Sequence, residues 1–287
     1  MHFDLFSCDK PLSYMTMAKE YGACQPTQPR IERGRPVSGH AYQHIADELA
    51  TAILAGHYRP GDRLPRQKDL AEQYEVSAIV IQQAIALLKN AGLVDSAGRG
   101  GTIVRDRPQI RRISSKRYQA DRGPQDEPRT SFTHDAGITW SQYRLDKAYQ
   151  WIEADERLAE LFGVEAGTRV LERRFVFYAN GIPSQMSRPC LLAADVEGTP
   201  VADPHNEPWP GGTIAQMRTL GLEVDEITES VATRMPTREE AQTLGIGPGV
   251  PVFSITRRML AGGRVVEVAD PIVIPGDRAV LDYDIPL

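Results

Sequence analysis

Apolar residues recur at helical spacing three times in the first third of the chain. In HAYQHIADELATAILA, residues 40–55, Tyr42, Ile45, Leu49 and Ile53 share a face, and Gly56 suits a C-terminal stop. Pro60-Gly61 breaks the pattern. RQKDLAEQ, residues 66–73, makes a second short helix buried through Leu70 and Ala71. In YEVSAIVIQQAIALLK, residues 74–89, Ser77 suits a cap for a third helix. Val80 or Ile81, then Ala84, Ile85 and Leu88, form its core-facing stripe. Its other face, with Ala78, Ile79, Gln82 and Gln83, carries almost no charge, which is unusual for a solvated helix. Leu93-Val94 and Thr102–Val104 read as two short strands joined by a tip, Ser96–Gly101, that exposes Arg99.

The texture changes near Thr130. A helix is expected over Asp155–Phe162, ending at Gly163. Strands over Val170–Tyr178 and Ser184–Leu192 are joined by Asn180-Gly181, a strong hairpin signal. Gly211-Gly212 opens a helix, Val224–Thr233 is a strand, and Thr237-Arg238-Glu239-Glu240 reads as a capping box. Val252–Leu260 and Val265–Ile274 form another hairpin around Gly262-Gly263. Strands paired as hairpins, with helices between them, predict an α+β domain on an antiparallel sheet. The expected organisation is an irregular arm over 1–37, a DNA-binding domain over 38–106, a linker over 107–129 and an effector-binding and dimerisation domain over 130–287. The linker is rich in charge, Pro and Gly. One strand is expected near Ile110–Ile113. Arg111, Arg112, Lys116 and Arg117 either touch DNA backbone or are simply solvated.

Composition adds one asymmetry. The 287 residues carry 33 Lys and Arg against 38 Asp and Glu. From Arg30 to Arg117 there are 15 basic against 9 acidic residues, and the remainder has 18 against 29. A basic segment on an acidic body suits one part meeting a polyanion. No apolar run reaches membrane-spanning length, and a cytoplasmic location is expected. Cys8, Cys24 and Cys190 have no metal-ligand spacing. His40 and His44 lie one turn apart without further ligands, so they read as surface or cap residues. No metal, cofactor or catalytic set is predicted. The glycine-rich tip at 98–101 lacks the Gly-Lys-Ser/Thr that a phosphate loop needs.

Helix, turn, helix, turn, helix, hairpin is the order of a winged helix-turn-helix, whose third helix enters the major groove. Arg63, Arg66, Lys68 and Arg99 suit phosphate contacts. Gln82 or Gln83 suits adenine, and Ile79 or Ala78 suits a thymine methyl.

The stretch from Tyr42 to Val104 resembles the N-terminal domain of GntR-family transcription regulators. The matching marks include Pro60-Gly61-Asp62-Arg63-Leu64-Pro65, Leu70-Ala71, Val76-Ser77, Gly92-Leu93-Val94 and Gly98-x-Gly100. The resemblance adds Ser77 and Gly100 to the DNA-binding set. The family usually has arginines where this chain has Ala78 and Gln82. Either the operator differs from the family's common one, or guanine contributes less to its reading.

The second half resembles the UTRA effector domain of the HutC subfamily, through LAELFGVEAGTRVLERRFVFYANGIP, PGGTIAQMRTLGLEV, PTREEAQTLGIGPGVPVFSITRRML and VVEVADPIVIPGDR. The resemblance implies a chorismate-lyase-like fold and a homodimer on a pseudo-palindromic operator. It also implies a polar or anionic effector held by Arg173, Gln185, Ser187, Gly212, Thr213 and Glu267. In that role Arg173 pairs with an acid group, Gly212 and Thr213 offer helix-start N–H groups, and Glu267 takes hydroxyl or amine donors. Glu267 has an alternative partner in Arg257 or Arg258 across the hairpin. A lyase-like enzyme domain and a ligand-independent DNA-binding dimer remain as other readings. Arg173 and Glu267 facing solvent, with no cavity between them, would favour the second.

Overall fold

A computed structural model describes residues 41–98, 101–106, 110–113, 117–118 and 128–283. The arm expected over 1–37, His40, and the tip residues Arg99 and Gly100 lie outside the described residues, as does Lys116.

The three helical stripes form α1 (Ala41–Leu54), α2 (Gln67–Tyr74) and α3 (Ala78–Asn90). Ile45, Leu49, Leu70, Ile81, Ala84, Ile85 and Leu88 close one core between them. Of the two candidates at the start of the α3 stripe, Ile81 is buried and Val80 only half-buried. Ser77 occupies the N-cap position, but its side chain makes no capping hydrogen bond. Strands β1 (Val94–Ser96) and β2 (Thr102–Val104) pair antiparallel. The Pro-Gly-Asp-Arg-Leu turn lies along β2: Gly61 N–H donates to Val104 O, Val104 N–H to Asp62 O and Leu64 N–H to Thr102 O. That backbone pairing sets Arg63 beside the wing.

The linker contains β3 (Ile110–Ile113), which pairs parallel to the late strand β10 (Ala279–Asp282). Next come α4 (Ser131–Ala136), β4 (Tyr143–Glu153) and α5 (Glu156–Phe162), followed by β5 (Arg169–Ala179), β6 (Ile182–Leu192) and α6 (Ala193–Val196). Then follow α7 (Gly212–Thr219), β7 (Glu226–Arg234), α8 (Arg238–Leu244), β8 (Val252–Ala261) and β9 (Arg264–Pro275). The large sheet is antiparallel throughout, in the order β4-β5-β6-β9-β8-β7. At the β5–β6 turn Asn180 and Gly181 take φ of 52° and 79°, the left-handed pair that a two-residue hairpin requires. The Thr237 capping box forms as expected, with Glu240 N–H donating to the Thr237 hydroxyl.

One face of the sheet packs on α7 through Leu171, Leu191, Ile214, Met217 and Met259. The turn after α8 meets the end of α3. Gly249 N–H donates to Asn90 O at 3.1 Å. A Cβ at Gly247 or Gly249 would lie 2.5 or 2.7 Å from the carbonyl oxygens of Lys89 or Asn90, so only glycine permits that approach. No helix among the described residues is long and apolar enough to cross a membrane.

Candidate functional site

Two regions gather the residues singled out by sequence. The first is the outer face of α3. Ala78, Ile79, Gln82 and Gln83 are exposed, and Ile79 is 66% exposed. A large apolar side chain left in water at a helix start, flanked by amides, suits contact with base edges. The one cation of α3, Lys89, turns back to donate to the Ser96 hydroxyl at 2.6 Å. Positive charge comes from the neighbouring turn and α2. Arg63 and Arg66 are exposed, and Lys68 is 85% exposed by its side chain. Glu72 stands 3.8 Å from Lys68, in an exposed pair that contributes little.

The second region is a cavity of about 70 Å³, open to solvent, on the α7 side of the sheet. Alternation places Arg173, Phe175 and Phe177 on the same face of β5, and pairing sets Phe175 opposite Ser187 and Phe177 opposite Gln185. Gln185, Ser187, Gly212 and Thr213 line the cavity. Arg173 and Glu267 do not line it; both are fully buried behind its wall. Arg173 donates to Gln216 Oε1 at 2.7 Å, to the Thr213 hydroxyl at 3.3 Å and to Glu267 Oε2 at 3.2 Å. Glu267 Oε1 accepts from Arg257 at 2.5 and 3.1 Å. The expected roles for these two, an acid-binding arginine and a hydroxyl- or amine-binding glutamate, are thus replaced by pairing with protein partners. Ions this deeply buried are strongly disfavoured unless paired. The Gly212 N–H expected to face a ligand donates instead to Trp209 O at 2.9 Å.

Sequence reading missed most of the wall. Arg117 and Tyr118, from the linker, line the cavity together with Arg257, Glu207, Trp209 and Phe175. This corrects the linker expectation: Arg112 and Arg117 are 2% and 3% exposed and meet neither solvent nor DNA. Arg117 pairs with Asp135 at 2.7 Å, and Arg112 donates to Glu229 at 2.6 Å. The Tyr118 hydroxyl ties these groups together. It donates to Glu229 at 2.7 Å and accepts from Arg117 at 2.9 Å and Arg257 at 3.3 Å. Burial pushes the Glu229 carboxyl up, but Arg112, Arg117 and Arg257 outweigh it and hold it below the usual carboxylate range. Arg111 is exposed and pairs with Asp282 at 3.1 Å. Strand alternation from Arg173 would have found Phe175 and Phe177, and Arg257 was already legible as a partner of Glu267. Nothing local marks Arg117 or Trp209.

A model of the gntR family of bacterial regulatory proteins matches residues 41–104, and a model of the UTRA domain matches residues 148–279. A Streptomyces coelicolor protein described as an uncharacterized HTH-type transcriptional regulator is 31% identical over 250 residues. The match covers 85% of this chain and 91% of that protein. This chain belongs to the GntR family. Its UTRA domain gives it the HutC-like arrangement. The HTH-type transcriptional repressor NagR of Bacillus subtilis is 30% identical over 246 residues, covering 83% of this chain and 91% of NagR. A crystal structure of a GntR-family transcriptional regulator aligns with TM-score 0.54 at 32% identity, covering 86% of this chain and 98% of that one. This GntR-family protein is therefore a transcriptional regulator with a DNA-binding and an effector-binding domain.

Proposed function

We propose that this GntR-family protein is a homodimeric repressor that binds a pseudo-palindromic operator and releases it when a small polar or anionic effector enters the cavity. The observation that carries the reading is the linker: Arg117 and Tyr118, between the two domains, form part of the cavity wall. A ligand touching them acts directly on the segment that leads to the DNA-binding domain. Arg112 and β3, a few residues upstream, are tied to the same network through Glu229. The effector then biases the placement of the two wings by its differential affinity for the two arrangements. The relative named as a repressor supports the sign of regulation. The burial of Arg173 and Glu267 beside a cavity favours this reading over a ligand-independent dimer, which both groups in solvent would have favoured.

On DNA, the exposed face of α3 reads bases through Ile79, Ala78, Gln82 and Gln83, while Arg63, Arg66 and Lys68 hold phosphates. Two such faces, one per protomer, meet half-sites about one helical turn, roughly 34–36 Å, apart or a multiple of that. Ser77 sits at the groove-facing end of α3, and Arg99 and Gly100 of the wing tip extend the same role. Titration of labelled DNA from upstream of its own gene tests the reading. Saturable binding at low salt, competed poorly by unrelated DNA, is expected; no preference for any upstream fragment would refute it.

A further inference from the structure

The loop that follows α8, Gly245-Ile246-Gly247-Pro248-Gly249-Val250, meets the end of α3 more closely than side chains allow. A Cβ at Gly247 would lie 2.5 Å from the Lys89 carbonyl oxygen and 2.7 Å from that of Asn90; one at Gly249 would lie 2.7 Å from Asn90 O. Neither glycine has the positive φ seen at Gly245, so backbone conformation does not call for glycine at either position. The close approach does. The three atoms nearest each such Cβ all belong to Lys89, Asn90 or Ala91, and none to the effector domain itself.

The joint is anchored on both sides. Asn90 O is one of the carbonyls that a helix end leaves without an intrahelical donor, and Gly249 N–H supplies one at 3.1 Å. Val250 is buried in a cluster with Leu244, Ile246, Val252 and Val273 of the effector domain. Its Cγ2 reaches the turn that ends α3, where a Cβ at Gly92 would lie only 2.6 Å away. Arg105, directly after β2, packs between the two domains. Its guanidinium lies 3.8 Å from the Cβ positions of both Gly92 and Gly245. On the effector side the loop runs straight into β8, and Arg257 and Met259 of that strand line the cavity.

We propose that this loop clamps the C-terminal end of the recognition helix to the effector domain and so sets the half-site spacing that the dimer accepts. This rests on the operator reading above and adds how the DNA-binding domain is held. The N-terminal end of α3 is the free one, with Ile79 exposed, while the other end is fixed by the Gly249 hydrogen bond and the close packing at Gly247. A domain tethered only by its linker is free to turn, and ordering it on DNA costs affinity at every spacing alike. A domain clamped at α3 is already oriented, and that advantage holds only for the spacing its orientation matches. Movement of β8 also reaches α3 through Pro251 and Val250, without passing through the linker.

The test compares the full-length protein with its Gly247→Ala/Gly249→Ala variant by fluorescence anisotropy on two duplexes. One is the upstream fragment that the native protein binds, and the other is the same fragment with two base pairs inserted at its dyad. The insertion moves one half-site by roughly 7 Å along the axis and about 70° around it. The native protein is expected to bind the lengthened duplex at least about tenfold more weakly, and the variant to lose no more than about threefold. Amide exchange at position 249 reports whether the joint has opened. The added methyls meet α3 and not the effector domain, so the fold should survive; if the double variant does not fold, Gly249→Ala alone serves in the same comparison. An opened joint with the native spacing preference intact would overturn the proposal. So would exchange at position 249 as slow as in the native protein, because the approach would then not need glycine. A native protein indifferent to the insertion would overturn it as well. If the native protein binds no upstream duplex, the regulator reading falls by itself; if it binds with a spacing preference that the variant keeps, only the clamp falls.

Discussion

The division of labour between α3 and its neighbours makes a quantitative prediction about salt. Lys68 lies on α2 with its ammonium in solvent, whereas Gln82 lies on the uncharged outer face of α3. Each phosphate neutralised by the protein contributes about −0.9 to the slope of log K against log salt. On the proposed assignment, with one such contact through Lys68 in each protomer of a dimer, Lys68→Ala should flatten the slope by about 1.8. Between 50 and 200 mM salt, that is about tenfold less loss of affinity than the unsubstituted protein shows. Gln82→Ala removes no charge. The slope should stay unchanged, while preference for the correct base pair falls by about 1–3 kcal/mol per half-site. Fluorescence anisotropy with the upstream DNA, and with a copy carrying one A·T to G·C change per half-site, measures both quantities. A flattened slope for Gln82→Ala, or altered base preference with an unchanged slope for Lys68→Ala, would refute the assignment of roles.

Other parts of the molecule give further expectations. Leu88 is 2% exposed in the core of the three-helix unit, so Leu88→Ala should cost about 2–5 kcal/mol and abolish DNA binding, read by calorimetry and anisotropy. Glu267→Gln leaves Arg173 and Arg257 without their shared carboxylate; a loss of about 3–5 kcal/mol in urea unfolding is expected, and wild-type stability would contradict the pairing. Glu229 has a depressed pKa in the folded state, so its contribution is present above the unfolded value and lost as pH falls through the folded one. Urea midpoints should therefore decline below about pH 4.5, and Glu229→Gln should decline less over that window. Gly249→Ala places a methyl against Asn90 O and should break the backbone hydrogen bond to Asn90, seen as faster amide exchange at position 249 and at Val250; unchanged exchange would show that the joint accommodates it.

Much of this fold is written in local signals. The stripes of α1 to α3, the Asn180-Gly181 turn and the Thr237 capping box each act over a few residues, and each stands where the pattern puts it. The elements that escaped notice are those without such a signal. Strand β4 alternates Tyr143, Leu145, Lys147, Tyr149 and Trp151, and Lys147 interrupts the apolar face by reaching to the Glu207 carbonyl. Helix α4 spans six residues, and its box closes with Thr133 rather than the usual Glu or Gln. Strand β10 pairs with β3 from the far end of the chain. The linker arginines were obscured for a different reason. Charge-rich sequence normally marks solvated chain, and only tertiary partners, Asp135 and Glu229, make Arg112 and Arg117 buried residues. The cavity is half legible for the same reason. Gln185 and Ser187 follow from strand alternation, whereas the linker's share of the wall is a long-range outcome of folding.

Coupling between cavity and operator is the central claim, and linkage gives its most direct measurement. The Kd of a small molecule that raises the protein's Tm in a metabolite screen is measured by titration on the protein alone and on the protein saturated with its upstream DNA. An effector that drives release must bind the DNA complex more weakly, by the same factor as it weakens DNA binding, about 5–150-fold for couplings of about 1–3 kcal/mol. Equal constants in the two titrations would mean that the cavity and the DNA-binding face do not communicate.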